Sequence, residues 1–310
     1  MGMTNDSTGD DFILVGFSDQ PQLEKILFTV VLISYLLTLI VNMAIILVSH
    51  LDPKLHTPMY YFLTNLSLID LCFTTSIVPQ LLWNLRGPAK TITPIGCTIQ
   101  LHVSLAVGST ECVLLAVMAF DRYAAICKPL HYATFMHPRL CQILVGVAWM
   151  SGLGNTLIQS TITLQLPLCG NRRLYHFMCE VPAMIKLACV DIYANEIHLF
   201  VASLVFLLLP LGLILISYAL IVQEMMRIRS TQAWYKVSKT CGSHLLVVSL
   251  FYGPSTAIYI QPSSSYTHRQ GKFITLLYTV VTPTLNPLIY TLRNKDMKEA
   301  IIRLLGKDTR

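Results

Sequence analysis

Apolar residues in this chain gather into seven long blocks separated by short polar segments. The blocks run over roughly 26–50, 58–80, 98–120, 141–163, 197–222, 240–260 and 272–291. Each holds about 20 mostly apolar residues, the length an α-helix needs to cross a hydrocarbon layer about 30 Å thick. The pattern predicts an all-α membrane protein, a seven-transmembrane helix bundle. The fourth block reads as the weakest. It holds Gly146, Gly152, Gly154 and Asn155, and small residues suit close helix packing. After the last block, Met297, Ala300, Ile301 and Leu304 recur at i, i+3, i+4 and i+7, with Lys295, Lys298 and Arg303 elsewhere. That spacing predicts a short amphipathic helix lying on a membrane surface. The expected organisation is a tail over 1–25, a seven-span domain over 26–291, and an amphipathic helix and tail over 292–310.

Composition agrees with the pattern. The chain has 54% hydrophobic and 12% charged residues, against about 25% charged in a soluble domain. With the amino terminus outside, 14 of the 22 Lys and Arg fall in inner segments and 8 in outer ones, the orientation that the positive-inside rule favours. The net charge of +6 then lies mostly on an inner face suited to anionic lipid headgroups, and nothing points to nucleic acid. Residues 1–25 carry Asp6, Asp10, Asp11, Asp19 and Glu24 and lack the apolar core of a cleavable signal, so the first span is expected to act as its own signal. Asn5-Asp6-Ser7 is then an outer glycosylation sequon. Of nine cysteines, Cys97, Cys169, Cys179 and Cys189 fall in outer segments. Four thiols on the oxidising side predict disulfides, with three connectivities open. His176 three residues before Cys179 reads as half a metal site at most, because outer cysteines usually pair with each other.

Charges inside spans need partners. Asp70 lies about 18 Å into the second span, and Glu111 about 16 Å before Arg122 on the third, at 1.5 Å per residue. The two carboxylates fall at similar depth. Such a pair shares a proton or holds a cation; sodium is the metal reading, and a protonated acid bonded to a polar neighbour is the plainer one. Asp121, Arg122 and Tyr123 close the third span. Gly253-Pro254 marks a kink in the sixth. Pro283, Asn286, Pro287 and Tyr290 break the seventh, whose freed backbone groups must be satisfied by neighbours or water.

Seven spans with Asp121-Arg122-Tyr123 closing the third and Asn286-Pro287-x-x-Tyr290 closing the seventh resemble a rhodopsin-like, class A G-protein-coupled receptor. Leu55-His-Thr-Pro-Met-Tyr60, Met118-Ala-Phe-Asp-Arg-Tyr-Ala-Ala-Ile-Cys127, Ser217-Tyr218, Lys236 to His244 and Pro283-x-Leu-Asn-Pro-Leu-Ile-Tyr290 narrow the resemblance to the olfactory receptor family, over about Phe12 to Leu305. The resemblance implies a receptor and not an enzyme, with no cofactor beyond a structural sodium ion. It implies a small odorant bound between the third, fifth and sixth spans. It also implies a stimulatory G protein of the olfactory type that raises cyclic AMP, and a place in the plasma membrane of sensory cilia. Asp121 would hold Arg122 at rest, Tyr218 and Tyr290 would support the active form, and Asp70, Glu111 and Asn286 would form the interior polar cluster. The family's pairing implies Cys97–Cys179, leaving Cys169–Cys189. The chain departs from the family at Phe120, where Tyr is usual, and at Val41, where Gly is usual. It departs most at Ala233-Trp234-Tyr235 to Lys239, which puts aromatics on the inner face.

The expected pocket follows from helical spacing in the outer halves of the spans. Candidates are Ser104, Leu105, Gly108, Ser109 and Cys112 on the third span and Ala202, Ser203 and Phe206 on the fifth. Tyr252, Ser255, Thr256 and Tyr259 represent the sixth, and Thr279 the seventh. The set is apolar with scattered hydroxyls and no charge. Ser104 stands where amine receptors carry Asp, so the expected ligands are neutral volatiles: alcohols, aldehydes, ketones, esters or terpenes. Most affinity must come from apolar burial, about 25 cal/mol per Å². The rival class is a transporter, which would show paired helix interruptions in two repeated halves; seven spans divide badly and no repeat is visible. Within the family, a chemosensor acting outside the nose is the alternative.

Overall fold

The structure is a computed structural model and describes residues 11–170, 172–227, 231–260, 268–293, 297–300 and 302–303. Asn5, Ile301 and Leu304 lie outside these residues, as do the side chains of Ala233, Lys236 and Lys239. Among the described residues, seven helices are long and apolar enough to cross a membrane: Pro21–Leu51, Pro58–Arg86, Pro94–Cys127, Pro138–Leu164, Tyr193–Arg227, Cys241–Ile260 and Gln270–Thr291. Several outrun the apolar blocks by a turn or more at their ends. The least apolar of the seven is the sixth and not the fourth: Cys241-Gly242-Ser243-His244 opens it and Gly253-Pro254-Ser255-Thr256 interrupts its apolar run.

The first four spans each begin with proline at their first turn, where the missing N–H costs nothing and φ is already helical. Thr93 caps the third span by accepting the Gly96 N–H at 3.1 Å, and the His137 ring caps the fourth through the Leu140 N–H at 3.1 Å. The helices are inverted relative to soluble ones. On the first span, Ile26, Ile33, Ile40 and Leu47 form an exposed apolar stripe, while Thr38 and Asn42 are buried. Thr38 and Thr284 bond at 2.8 Å across the first and seventh spans. The third span is the most buried. The fourth lies so close to it that a Cβ on Gly152 would stand 2.2 Å from Thr110 Oγ1 and 2.5 Å from the Ala106 carbonyl, whereas Gly146 and Gly154 face open space.

The fifth and seventh spans each contain a π-helical turn, Leu204–Leu208 and Leu277–Val281. Each lies just ahead of a proline, Pro210 or Pro283. Proline has no N–H to give the preceding turn, and the turn widens. The Leu209 N–H reaches Leu204 O and the Thr282 N–H reaches Leu277 O, five residues back.

One end of the bundle is closed by loops and carries both disulfides. Three short strands, β1 (Phe12–Leu14), β2 (Thr91–Ile92) and β3 (Arg173–Leu174), form a sheet in the order β2-β1-β3, antiparallel to β2 and parallel to β3. Phe12 and Leu14 point into a small core with Ile92, Leu174 and Met184, and Ile13 points out, the period of two expected of a strand. Cys97 is bonded to Cys179 and Cys169 to Cys189. The Lys272 ammonium donates to the Gly16 carbonyl, and Phe17 stacks on Phe177. At the opposite end, Met297 and Ala300 are fully buried and Arg303 pairs with Asp52 at 2.7 Å, which ties the segment after the seventh span to the turn after the first.

Candidate functional site

Toward the disulfide end, the helices part around a cavity with about 670 Å³ of empty space, its opening included. The third span contributes Ser104, Leu105, Gly108, Ser109 and Cys112, and the fifth contributes Ala202, Ser203 and Phe206, as expected, with Leu199 and Leu207 added. On the sixth span the wall is Phe251, Ser255 and Tyr259, an i, i+4, i+8 stripe on one face. Tyr252 and Thr256, one position on, are not part of that wall. Tyr252 instead donates its hydroxyl to the Cys112 carbonyl at 2.8 Å, and the Thr256 hydroxyl is buried among helices. On the seventh span the lining residue is Tyr278 rather than Thr279, whose hydroxyl turns back to Thr275 O at 2.8 Å. The π-turn of Leu277–Val281 shifts the phase of that helix, so regular spacing selects the neighbouring residue.

Sequence reasoning also missed Asn155 and Gln159 of the fourth span, Phe73 of the second and Met178 of the loop. A signal for the first two was present: amides four residues apart on one face of an apolar span. The Asn155 amide donates to Ser109 Oγ at 2.7 Å, and the Gln159 amide to the His198 carbonyl at 3.0 Å. The cavity hydroxyls are partly committed. Ser104 donates to Leu101 O at 3.2 Å and Ser203 to Leu199 O at 2.8 Å. Among the described residues, none that lines the cavity carries a charge.

A buried acid stands behind that wall. Glu180 follows Cys179 in the disulfide-held loop, and its Oε2 accepts the Tyr278 hydroxyl at 3.0 Å. Its Oε1 lies 3.3 Å from His176 Nε2. Burial pushes the His176 imidazole below its ordinary range; Glu180 opposes this, and Lys272 and Lys186 add to it. The loop is fixed by Gln100, whose side-chain carbonyl accepts the Cys179 N–H at 2.7 Å while its amide donates to Ser76 O at 3.2 Å.

Deeper in the bundle, Asp70, Glu111 and Asn286 meet. The Asn286 amide lies 3.3 and 3.5 Å from the two Asp70 oxygens and 3.5 Å from Glu111 Oε1. All three residues are buried, and Asn286 Oδ1 has no hydrogen-bond partner. The side-chain nitrogen of Asn286 is what faces the carboxylates, and two acidic side chains meeting in one buried place suit a cation of hard oxygen preference. Among the described residues no group of three or more His, Cys, Asp or Glu could hold a metal ion, so the donor set would be the two carboxylates.

At the end opposite the disulfides, Arg122 Nη2 lies 3.4 Å from Asp121 Oδ2, and Tyr132 donates to Asp121 Oδ1 at 2.7 Å. Burial, and then Asp121 beside it, raise the Tyr132 phenol, which keeps it a donor. The Tyr218 hydroxyl and His244 Nδ1 bond at 2.7 Å with stacked rings. Tyr290 OH and His244 Nε2 are buried without partners, Tyr123 is half-buried, and Pro287 lies inside the last helix. Trp234 and Tyr235 are exposed.

Comparison with known sequences accords with this arrangement. The sequence model of the family described as "Olfactory receptor" matches residues 31–308. The chain is 62% identical to human olfactory receptor 2G3 over 306 residues, 99% of each chain. It is 57% identical to mouse olfactory receptor 2C1, over 99% of this chain and 98% of that one. It is 56% identical to human olfactory receptor 2G6, over 98% and 96%. Olfactory receptors are G-protein-coupled receptors, not enzymes, and the family implies an odorant ligand and a G protein partner in general. With seven membrane-spanning helices, a cavity among them and this similarity over nearly its whole length, the chain is a multi-pass membrane protein that belongs to the olfactory receptor family.

Proposed function

We propose that this chain is an odorant receptor that binds small neutral volatile molecules in the cavity and activates a stimulatory, olfactory-type G protein, raising cyclic AMP. The observation that carries the ligand class is the uncharged, mainly apolar lining between Ser104 and Tyr259. A charged odorant would leave its solvation shell without a counter-charge, which is costly. The disulfide end is then outer, the amino terminus extracellular with Asn5 glycosylated, and the chain sits in the plasma membrane of sensory cilia. The bias of Lys and Arg supports that orientation.

Asp121, Arg122 and Tyr123 act as the inner latch. Tyr218, Asn286, Pro287 and Tyr290 rearrange when the sixth span swings out, and the partnerless Tyr290 hydroxyl supports a second, bonded position for that side chain. Asp70 and Glu111 hold a sodium ion in the resting form, which supplies positive charge between the two acids. The test is a screen of neutral odorants in cells reporting cyclic AMP, with Arg122→Ala beside the native chain. Odorant responses that vanish with Arg122→Ala at equal surface expression are expected; responses that survive it would overturn the coupling scheme.

A further inference from the structure

A serine inside a helix commonly gives its proton to a backbone carbonyl three or four residues back. Two of the serines that line the cavity do so: Ser104 donates to Leu101 O at 3.2 Å and Ser203 to Leu199 O at 2.8 Å. Their protons are spent. Ser109 breaks the habit. Among the described residues its hydrogen bond is a received one, from the Asn155 side-chain nitrogen at 2.7 Å. Asn155 reaches across from the fourth span and holds the Ser109 oxygen away from the carbonyls of its own helix. A hydroxyl has one proton and two lone pairs. With one lone pair taken by Asn155 and no carbonyl engaged, the Ser109 proton is left to be donated. Both residues line the cavity. An N–H given to the oxygen also polarises the hydroxyl, which makes it the stronger donor.

We infer that Asn155 is a specificity-determining residue that acts through Ser109: by holding the serine oxygen it keeps a hydroxyl proton free for the cavity, so that the site favours odorants with an acceptor oxygen, ketones and aldehydes above all, over hydrocarbons of the same shape. A carbonyl oxygen takes the Ser109 proton and brings no donor of its own to be left unpaired against Phe206 and Phe251. A hydrocarbon in the same place leaves the Ser109 proton buried without a partner, which is costly. Without Asn155 the serine is free to turn back to the Leu105 carbonyl, four residues earlier, as Ser203 turns to Leu199. The proton is then spent and the preference goes with it. Asn155 is a positioning residue in this scheme, because it sets what Ser109 offers. The assignment rests on the cavity being the odorant site, and it narrows a ligand class that the lining alone leaves broad.

The experiment uses the full chain and matched probes: 2-octanone with 2-methyl-1-octene, which carries a methylene in place of the oxygen, and carvone with limonene. Thermal stabilisation of the detergent-purified protein reports occupancy without a G protein, and cyclic AMP in intact cells reports signalling. The variants are Asn155→Leu, Ser109→Ala and the two combined, with Asn155→Ala in place of Asn155→Leu if the larger side chain prevents surface expression. One hydrogen bond corresponds to about a three- to tenfold difference. Each single variant should therefore need about three- to tenfold more ketone for the same stabilisation, with the hydrocarbon of the pair unshifted. The combined variant should lose no more than either single one, because both remove the same proton. Independent contacts would instead multiply to roughly ten- to hundredfold, and that result would overturn the inference. So would equal shifts of ketone and hydrocarbon, the mark of loosened packing, or stabilisation of the native chain by no probe. A gain in ketone potency with Asn155→Leu would show that Ser109 gives its proton to Asn155, and would overturn it too. Ketone-selective stabilisation that depends on Asn155 and Ser109 without any cyclic AMP would sink the receptor reading and leave this assignment standing. Cyclic AMP responses indifferent to both substitutions would do the reverse.

Discussion

Tyr252 on the sixth span donates its hydroxyl to the backbone carbonyl of Cys112 on the third, at 2.8 Å and fully buried. The bond lies between the cavity, which Cys112 lines, and the cluster around Glu111, one residue away. It ties together the two helices whose separation the proposed activation requires. Tyr252→Phe keeps the ring and loses a bond that contributes about 0.5–1.5 kcal/mol. Basal cyclic AMP, normalised to surface expression, should rise by about two- to tenfold, because the closed form loses that difference. An unchanged basal level would mean that the bond persists in both forms.

Gly152 is the tightest contact between the third and fourth spans. A methyl group there meets Thr110 Oγ1 and the Ala106 carbonyl well inside contact distance, and the second of these is backbone that cannot swing away. Overpacking of this kind costs about 1–3 kcal/mol. Gly152→Ala should sharply reduce surface expression and lower the Tm of the purified protein. Gly154→Ala, with nothing within 4 Å of the added atom, is the matched control and should leave both unchanged.

The Asp70, Glu111 and Asn286 cluster predicts ion dependence. Exchange of sodium for N-methylglucamine in membrane preparations should raise the potency of an activating odorant several-fold. Asp70→Asn should abolish the difference between the two salts. A sodium effect that persists in Asp70→Asn would place the ion elsewhere.

His176 predicts a pH dependence whose sign follows from its burial. The ordinary value is 6.5 and the folded protein holds the group lower. Above 6.5 neither the folded nor the unfolded chain carries the proton. Below it the unfolded chain takes the proton up and the folded chain resists, so stability is lost as pH falls, by at most about 1.4 kcal/mol per pH unit. The Tm of the purified receptor should drop between pH 6.5 and 5, and His176→Gln should flatten that drop. An identical slope in the variant would assign the titration to another group.

The spans were legible because crossing a membrane imposes a length and a composition that few other constraints imitate. Asp70 and Glu111 were legible for the same reason: a carboxylate in an apolar run has to meet something, and their equal depth named each other. The pocket was legible where helices are regular. Ser104, Gly108 and Cys112 follow from helical spacing, with Leu105 and Ser109 beside them. Tyr278 does not, because a π-turn displaces the phase of its helix, and the prolines that flank such turns announce a disturbance without giving its direction. Tyr252 and Thr256 failed by one position, about 100° of rotation, which spacing cannot resolve without a partner helix. Glu180 was hidden for another reason. Its partner Tyr278 lies 98 residues away in sequence, and only the disulfide-held loop brings the two together.

The three-stranded sheet also dictates when the molecule can finish assembling. Strand β1 is made first, yet its neighbours are β2 at residue 91 and β3 at residue 173, and the Lys272 contact to Gly16 spans 256 residues. At about 5–20 residues per second of synthesis, the amino-terminal segment waits roughly 13–50 seconds for its last partner. Phe12 and Leu14 lack the core partners Leu174, Met184 and Leu187 until those are made, and Phe17 lacks Phe273 until later still. The earliest residues of the chain are therefore among the last to be seated, and the cap over the ligand cavity closes only after the seventh helix has been delivered to the bilayer.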